Sequence, residues 1–359
     1  MTIFMLFLGL AFLVAGAELL VRGASRLGLA IGISPLVIGL TIVAFGTSSP
    51  EMAVSVRAAL ANNSDIVIGT NIGSTIFNIL FILGICAIVA PLKISQQLIW
   101  YEVPIMIAAS LLLFALSFDG NINRLNALIL VIGIVSYTIF AIMKGRREAK
   151  TITNEYQAAF SEEANGFNAL FIGKQIGLIV VGLIFCVFGA GWLLDSAVIL
   201  ARAWGVSELV IGITIVAAGT SLPEVATSVV ATIRGQRDIA VGNVVGSNIY
   251  NILGIVGVAG LIAPNGLTVA PSVLQFDLPV AIATCVACLP IFFTGHKISR
   301  WEGFLFLGYY VGYTSYLILD AKDHDSLPML SVIMMWFVIP LTLITFAIVI
   351  YRTNCKHKF

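Results

Sequence analysis

The sequence predicts an all-α membrane protein made of two inverted five-helix repeats with broken helices, plus one extra C-terminal transmembrane helix. The first observation is composition, because 59% of the 359 residues are apolar, 10% are charged and the mean hydropathy is +1.05. Soluble domains are about half apolar and about a quarter charged. The second observation is a long internal repeat, and the third is the odd number of helices between its two copies.

Long apolar runs separated by short polar breaks predict eleven helices. An apolar run of about 20 residues is long enough to cross a bilayer. The first run lacks the basic leader of a signal peptide and is predicted to be a retained helix. The predicted helices lie near 3–27, 34–60, 66–90, 99–118, 124–144, 170–203, 207–232, 239–263, 275–295, 301–320 and 328–351.

These helices divide the chain into two halves, 1–144 and 170–320, with the extra helix at 328–351. The polar stretch 145–169 is too short and too poor in apolar residues to form a domain, so it is predicted to be a cytoplasmic linker. With the N-terminus outside and the C-terminus in the cytoplasm, 15 of the 19 Lys and Arg residues fall on the inner side, as cytoplasmic loops require. A plasma membrane location, the inner membrane of a bacterium, is predicted. The net charge of +1 gives no indication of nucleic-acid binding.

The repeat aligns residues 32–84 with 205–257 at a constant offset of 173, with 30 identities in 53 positions. The first copy contains GLTIVAFGTSSPE and DIVIGTNIGSTIFNIL, and the second contains GITIVAAGTSLPE and DIAVGNVVGSNIYNIL. Because the second copy begins five predicted helices after the first, and five is odd, the two halves must have opposite orientations in the membrane. Inverted repeats of this kind are typical of secondary transporters, whose binding site lies near the midplane.

Each copy places a proline and a glutamate in the middle of a predicted span, as Pro50-Glu51 and Pro223-Glu224. Proline removes a backbone donor and disrupts the helix one turn earlier, and such backbone is tolerated in a membrane only inside protein or beside water. Buried carboxylates and freed carbonyls are ligands for hard cations. Two glutamates that meet across the repeat axis would match one divalent cation. The alternative is a protonated pair that is hydrogen-bonded to helix ends.

Neutral oxygen donors surround the glutamates in the sequence. Ca²⁺ takes about six to eight oxygen ligands, whereas the three histidines, His296, His324 and His357, lie outside the predicted spans, which disfavours zinc and copper. For the serines and asparagines, interhelical hydrogen bonding is the alternative role. The pairs predicted to share a helix face are Thr47 with Glu51, Thr220 with Glu224, Ser74 with Asn78, and Ser247 with Asn251.

Two further sets of residues have structural interpretations. Glu18 lies one turn before Arg22, so a local ion pair is expected rather than a role in transport. Four glycines are expected to allow close approach of the broken helices or simply to pack as small residues: Gly69, Gly73, Gly242 and Gly246.

The paired GTSxPE and GSxIxNIL segments resemble the alpha-repeats of the calcium/cation antiporter superfamily. The chain is most similar to bacterial sodium/calcium antiporters and also resembles the potassium-dependent sodium/calcium exchangers. The resemblance implies a ten-helix fold in which the first and sixth helices slide over a fixed core. It implies Ca²⁺ and Na⁺ as transported ions, with no cofactor. The implied ligands are Glu51, Glu224, Thr47, Ser48, Thr220, Ser221, Ser74, Asn78, Ser247 and Asn251, with the backbone carbonyls of Ala44 and Ala217.

The counter-ion stays open at this point. Some sodium/calcium exchangers carry an aspartate where this chain has Asn251, which slightly favours proton coupling, but the GNxxE-like motif of proton-coupled relatives is absent. A requirement for K⁺ is also open. A cation channel is less expected, and an intramembrane enzyme is disfavoured because no membrane histidine could activate a serine or threonine. The sequence therefore predicts a transporter, not an enzyme, that exchanges Ca²⁺ for Na⁺ by alternating access.

Overall fold

A computed structural model describes residues 1–157, 169–206, 217–293 and 295–320, together with a few single positions elsewhere. Most of the predicted extra helix 328–351 lies outside the described residues, and so do residues 158–168 of the predicted linker. The predicted helix 207–232 is described from residue 217 onward, apart from single positions before it.

The described residues are almost entirely helical, as predicted. Among the described residues, seven helices are long and apolar enough to span a membrane, and α2 and α3, bent by 46° at their break, would make an eighth span if the pair crosses as one. The helices are α1 (Thr2–Ile31), α2 (Pro35–Thr47), α3 (Ser49–Leu60), α4 (Ser64–Val89), α5 (Leu98–Leu116), α6 (Arg124–Gln157), α7 (Ala169–Ala203), α8 (Ala217–Gly219), α9 (Leu222–Ile233), α10 (Arg237–Ile262), α11 (Val273–Phe293) and α12 (Arg300–Asp320).

Some helix ends differ from the predictions. Helix α6 continues from the membrane through residues 145–157, which were predicted to be linker. The sequence there is rich in Arg, Glu, Ala and Lys, which favour helix without an apolar environment. Helix α1 runs on to Ile31 and ends at Gly32, whose φ of 67° is a common helix end for glycine. Helix α12 forms as predicted, although by hydropathy it is not one of the seven spans.

In the continuously described segments, five helices contain a π-helical turn, which the sequence analysis did not predict. Such turns leave backbone groups out of the regular ladder and are frequent at functional sites. Two of them occupy matching places in the two repeats, beginning at Asn78 and at Tyr250, the residue before Asn251. The five segments are Gly39–Val43, Asn78–Leu83, Leu98–Glu102, Tyr250–Ile255 and Val273–Asp277.

Two short antiparallel strand pairs connect the halves. The pairs are β1 (Leu92–Lys93) with β4 (Lys297–Ile298), and β2 (Asn121–Ile122) with β3 (Leu267–Thr268). The loop after α4 in the first half thus pairs with the loop after α11 in the second half, and the loop after α5 pairs with the loop after α10. Paired loops must lie on the same membrane face, so this arrangement is consistent with two halves of opposite orientation.

Helices α1 and α7 pack along each other through their backbones. A Cβ added at Gly189 would lie 2.5 Å from the Leu13 nitrogen, and one added at Gly182 would lie 2.7 Å from the Leu20 nitrogen. Such distances exclude any side chain, so the two helices are in direct backbone contact. Gly9 and Gly16 make the same close contacts from the α1 side. The contacting residue numbers increase along α1 as they decrease along α7, so the two helices are antiparallel.

Helix α10 lies equally close to α2, the helix before the break. A Cβ at Gly242 would lie 2.7 Å from the Leu36 carbonyl oxygen, and one at Gly246 would lie 2.6 Å from that of Leu40. These two glycines therefore allow the close approach that the sequence suggested. The matching partners of Gly69 and Gly73 would fall at 209–213, most of which lies outside the described residues. The contact brings the second repeat beside the break in the first.

Candidate ion-binding site

The predicted helix breaks occur at Ser48 and Ser221. Helix α2 ends at Thr47 and α3 begins at Ser49, with Ser48 at φ −81° and ψ 7°. In the second copy, Ser221 has nearly the same conformation, φ −89° and ψ 9°, before α9. The proline then falls in the first helical turn, where its missing N–H costs nothing. Each glutamate follows in that same first turn, where the helix dipole favours a negative charge.

One detail of the predicted break is wrong. Thr47 and Glu51 lie on opposite sides of the break, so they do not share one continuous helix face. The Ala44 carbonyl, which the resemblance implies as a ligand, accepts the Ser48 N–H at 3.0 Å. The reason is that the chain bends two residues before the proline and keeps the last turn of α2 intact.

The two breaks face each other through reciprocal hydrogen bonds. Ser48 Oγ donates to Glu224 Oε1 at 2.9 Å, and Ser221 Oγ donates to Glu51 Oε1 at 3.0 Å. The two contacts are equivalent under the repeat offset of 173, because each serine precedes its own glutamate by three residues. All four side chains are at most 2% exposed. The structure therefore brings the two glutamates, one from each repeat, into a single buried cluster.

Serines from the following helices join this cluster. Ser74 on α4 has its Oγ 3.0 Å from Ser221 Oγ. Ser247 on α10 has its Oγ 3.5 Å from Glu224 Oε1, which is a long contact for a hydroxyl donor. These four serines, all predicted as site residues, surround the carboxylates with hydroxyl oxygens.

Several buried oxygens of the predicted site accept no hydrogen bond within the described part of the chain. They are Glu51 Oε2, Glu224 Oε2, Asn78 Oδ1, Asn251 Oδ1 and Thr220 Oγ1. Buried polar atoms in proteins nearly always have a partner. Each of these atoms can act as an acceptor, so a cation is a suitable partner for them.

The electrostatics also favour a hard cation. Two ionised carboxylates that are each 1% exposed carry a large desolvation cost unless positive charge compensates them. No group of three or more His, Cys, Asp and Glu side chains that could hold a metal occurs among the described residues. The donor set is two carboxylates among hydroxyls and amides, which suits Ca²⁺ and similar ions rather than zinc or copper.

The asparagines near the site form asymmetric contacts that the sequence analysis missed. Thr47 Oγ1 donates to Asn243 Oδ1 at 3.1 Å, and Asn78 Nδ2 donates to Asn248 Oδ1 at 3.0 Å. Asn243 and Asn248 are both fully buried. The first copy has threonine at both matching positions. Residues that are identical in the two copies led to the predicted site, so these two asparagines were not included. Amides buried in an apolar helix were the available signal.

The other backbone carbonyl that is predicted as an ion ligand is that of Ala217. Ala217 lies in α8, whose described residues end just before Thr220. Its position along the chain matches that of Ala44 in the first copy, at the offset of 173.

Comparison with known proteins places this arrangement in a family. The profile of the family described as "sodium/calcium exchanger protein" matches residues 1–143 and 174–319. Among curated relatives, the sodium/calcium exchanger MaX1 of Methanosarcina acetivorans is 35% identical over 337 residues, covering 86% of this chain and 96% of its own. The inner membrane protein YrbG of Escherichia coli is 36% identical over 265 residues, covering 73% of this chain and 80% of its own.

A solved structure agrees with this assignment. The sodium-calcium exchanger NCX_Mj, soaked with Na⁺ and Ca²⁺, superposes with a TM-score of 0.73 at 30% sequence identity, covering 86% of this chain and 96% of that chain. The fold, the repeated motifs and the two matched blocks of sequence agree, and the chain belongs to the sodium/calcium exchanger family.

Proposed function

We propose that this protein exchanges Ca²⁺ for Na⁺ across the membrane by alternating access, with Glu51 and Glu224 at the centre of its ion site. The observation that carries the proposal is the reciprocal pair of hydrogen bonds, Ser48 to Glu224 and Ser221 to Glu51. Each bond holds one carboxylate oxygen and leaves Oε2 of the same glutamate without a described partner. The two serine hydroxyls thus fix the orientation of the carboxylates.

The charge of the cluster explains why exchange would be obligatory. One Ca²⁺ compensates both carboxylates, whereas two or more Na⁺ would share them with hydroxyl and amide oxygens. Because both ions need the same two glutamates, they cannot occupy the site together. The further ligands that we propose are Thr47, Ser48, Thr220, Ser221, Ser74, Asn78, Ser247 and Asn251, with the carbonyls of Ala44 and Ala217.

Alternating access would come from α1 and α7 moving together. Their backbone contact through glycines makes them one unit. This unit meets α9, the helix with Glu224 in its first turn, through a cluster in which Ala17, Ala190 and Ala226 pack with Leu13 and Cys186. The support is therefore a closely packed helix pair that contacts the helix of one proposed ligand.

We also propose the orientation with the N-terminus outside and the C-terminus in the cytoplasm, in the plasma membrane, or the inner membrane of a bacterium. The distribution of Lys and Arg supports this orientation. The linker 145–169 would then be cytoplasmic. A cysteine introduced as Ser161→Cys should react with an impermeant thiol reagent only after the cells are opened. Labelling in intact cells would reverse the orientation.

Transport in proteoliposomes tests the function. Vesicles loaded with Na⁺ should take up ⁴⁵Ca²⁺ when they are diluted into Na⁺-free buffer, and Glu51→Gln or Glu224→Gln should abolish the uptake. Asp65→Asn is the matched control, because Asp65 is an exposed carboxylate in the first turn of α4. Added K⁺ tests a potassium requirement. Uptake that follows a pH gradient without Na⁺ would indicate a proton antiporter, and uptake without any counter-ion would indicate a channel.

A further inference from the structure

Two buried asparagines outside the proposed ligand set contact the helices that follow the two breaks. Asn243 on α10 donates from Nδ2 to Ser228 Oγ on α9 at 3.0 Å. Asn71 on α4 donates from Nδ2 to Ser55 Oγ on α3 at 2.9 Å. The two serines match at the repeat offset of 173, whereas the asparagines match only when the alignment is shifted by one residue. The same bond is therefore present in both halves, and all four side chains are buried.

The carbonyl oxygens of the two side-chain amides differ in their contacts. Asn243 Oδ1 accepts the hydroxyl of Thr47, the last residue of α2, at 3.1 Å, which is shorter than the 3.4 Å from this hydroxyl to the Ala44 carbonyl oxygen. In the other half, the matching donor is Thr220 and the matching acceptor is Asn71 Oδ1. Neither Thr220 Oγ1 nor Asn71 Oδ1 has a hydrogen-bond partner among the described residues. The bond from threonine to asparagine is thus made in one half and open in the other.

The direction of the threonine proton decides whether the hydroxyl can serve as a cation ligand. Each threonine interacts with the glutamate of the other repeat, Thr47 with Glu224 and Thr220 with Glu51. A hydroxyl has one proton and two lone pairs. A proton that points to the carboxylate competes with a cation, whereas a proton donated to an asparagine leaves the lone pairs directed toward the ion site. Asn243 therefore holds the Thr47 hydroxyl in the orientation that a cation needs.

The asymmetry of this bond is informative because the other contacts of the site are symmetric. The hydrogen bonds between the serines and the glutamates of the two breaks are made in both halves. Since the two repeats are inverted copies, the site opens to the opposite membrane face when each repeat takes the conformation of the other. A contact that is made in only one half is one that this exchange breaks on one side and forms on the other.

We propose, on the basis of the exchange function above, that Asn243 and Asn71 are positioning residues of the ion site that act in alternate conformations. In the conformation described, Asn243 accepts the proton of Thr47. In the conformation that opens to the opposite face, Asn71 accepts the proton of Thr220, and Thr47 is released. The two bonds thus stabilise opposite states of the transporter.

The apparent affinity for Ca²⁺ at the two membrane faces tests the proposal. Right-side-out and inside-out membrane vesicles loaded with Na⁺ give the ⁴⁵Ca²⁺ concentration for half-maximal uptake at each face. The apparent affinity at a face falls with the fraction of protein that is open to it. Asn243→Val should shift the ratio of the two concentrations about fivefold in one direction and Asn71→Val about fivefold in the other, which corresponds to about 1 kcal/mol for one neutral hydrogen bond.

The two variants are matched controls for each other. Both lose the bond to serine, which is present in both halves and so does not affect the ratio. The second copy has Val244 at the position that matches Asn71, and the first copy has Thr70 at the position that matches Asn243. Asn243→Thr, whose side chain is one bond shorter, replaces Asn243→Val if the valine variant does not fold. The double variant should return the ratio to the wild-type value, because the two losses cancel.

Shifts in the same direction, or ratios that stay at the wild-type value in both single variants, would overturn the proposal, since a role in packing alone affects both faces equally. Wild-type vesicles without Na⁺-dependent uptake would instead refute the proposed function, and this inference with it.

Discussion

Replacing Gly189 by alanine should separate the α1–α7 pair without touching the ion site. The added Cβ would lie 2.5 Å from the Leu13 nitrogen and 2.7 Å from the Gly9 carbonyl oxygen. Both obstacles are backbone atoms, so no side-chain rotation can relieve the contact, and the helices must move apart by about 1 Å to reach ordinary carbon contact distance. Overpacking of this kind costs about 1–3 kcal/mol.

The assay is thermal unfolding in detergent together with ⁴⁵Ca²⁺ uptake in proteoliposomes. Gly189→Ala should lower the midpoint of unfolding by about 2–12 °C, taking about 2–4 °C for each kcal/mol as in domains of about 150–250 residues. The maximal rate of uptake should fall, because the pair that moves is distorted. The Ca²⁺ concentration for half-maximal uptake should stay unchanged.

Gly191→Ala is the matched control on the same helix. A Cβ at Gly191 meets nothing within 4 Å, and alanine is the better helix former, so this variant should be at least as stable as the wild type. If Gly189→Ala and Gly191→Ala unfold at the same temperature and transport equally well, backbone packing does not hold α1 to α7, and the proposed moving unit is wrong.

Three further predictions concern single side chains. Ser48→Ala should weaken Ca²⁺ binding about tenfold or more, because a hydrogen bond to a charged group is lost. Calorimetry of Ca²⁺ binding checks this. The control Ser49→Ala, at an exposed position, should bind Ca²⁺ as the wild type does. Glu18 on α1 forms an ion pair with Arg234, which follows α9, at 2.8 Å, and this pair would resist movement of α1. Glu18→Gln should therefore raise the uptake rate by at most about fivefold, and an unchanged rate would show that the pair does not resist the movement. Asn251→Asp adds a carboxylate, so Na⁺ should bind more tightly or in a different number, which would change the midpoint or the steepness of Ca²⁺ release by Na⁺. An unchanged Na⁺ dependence would contradict the assignment.

The fold was predictable because a membrane restricts the choices. Backbone in a bilayer must be hydrogen-bonded internally, so apolar runs become helices, and the repeat offset of 173 then indicated the inverted halves. The end of α6 was not predictable from hydropathy, since residues 145–157 are polar and still helical. The π-helical turns were also missed, because one inserted residue leaves no periodic signal.

In the candidate site, the meeting of the two glutamates was predictable, and their contacts were less so. Repetition of Glu51 as Glu224 showed that the two would meet, and they lie in one buried cluster. Each glutamate accepts a hydrogen bond from the serine of the other repeat, Ser48 or Ser221. This pairing depends on the residue at which each helix bends, and the position of the proline alone did not determine that residue. Asn243 escaped the prediction because its contact to Thr47 has no counterpart in the other repeat.

Equilibrium Ca²⁺ binding to the purified protein, with Na⁺ as competitor, tests the central claim most directly. Wild-type protein should bind Ca²⁺, and Na⁺ should displace it with a steepness greater than one ion for one ion. Glu51→Gln and Glu224→Gln should each abolish Ca²⁺ binding while the protein stays monodisperse on size-exclusion chromatography. Undiminished Ca²⁺ binding in both single variants would contradict the account, since one remaining carboxylate cannot compensate a buried divalent ion.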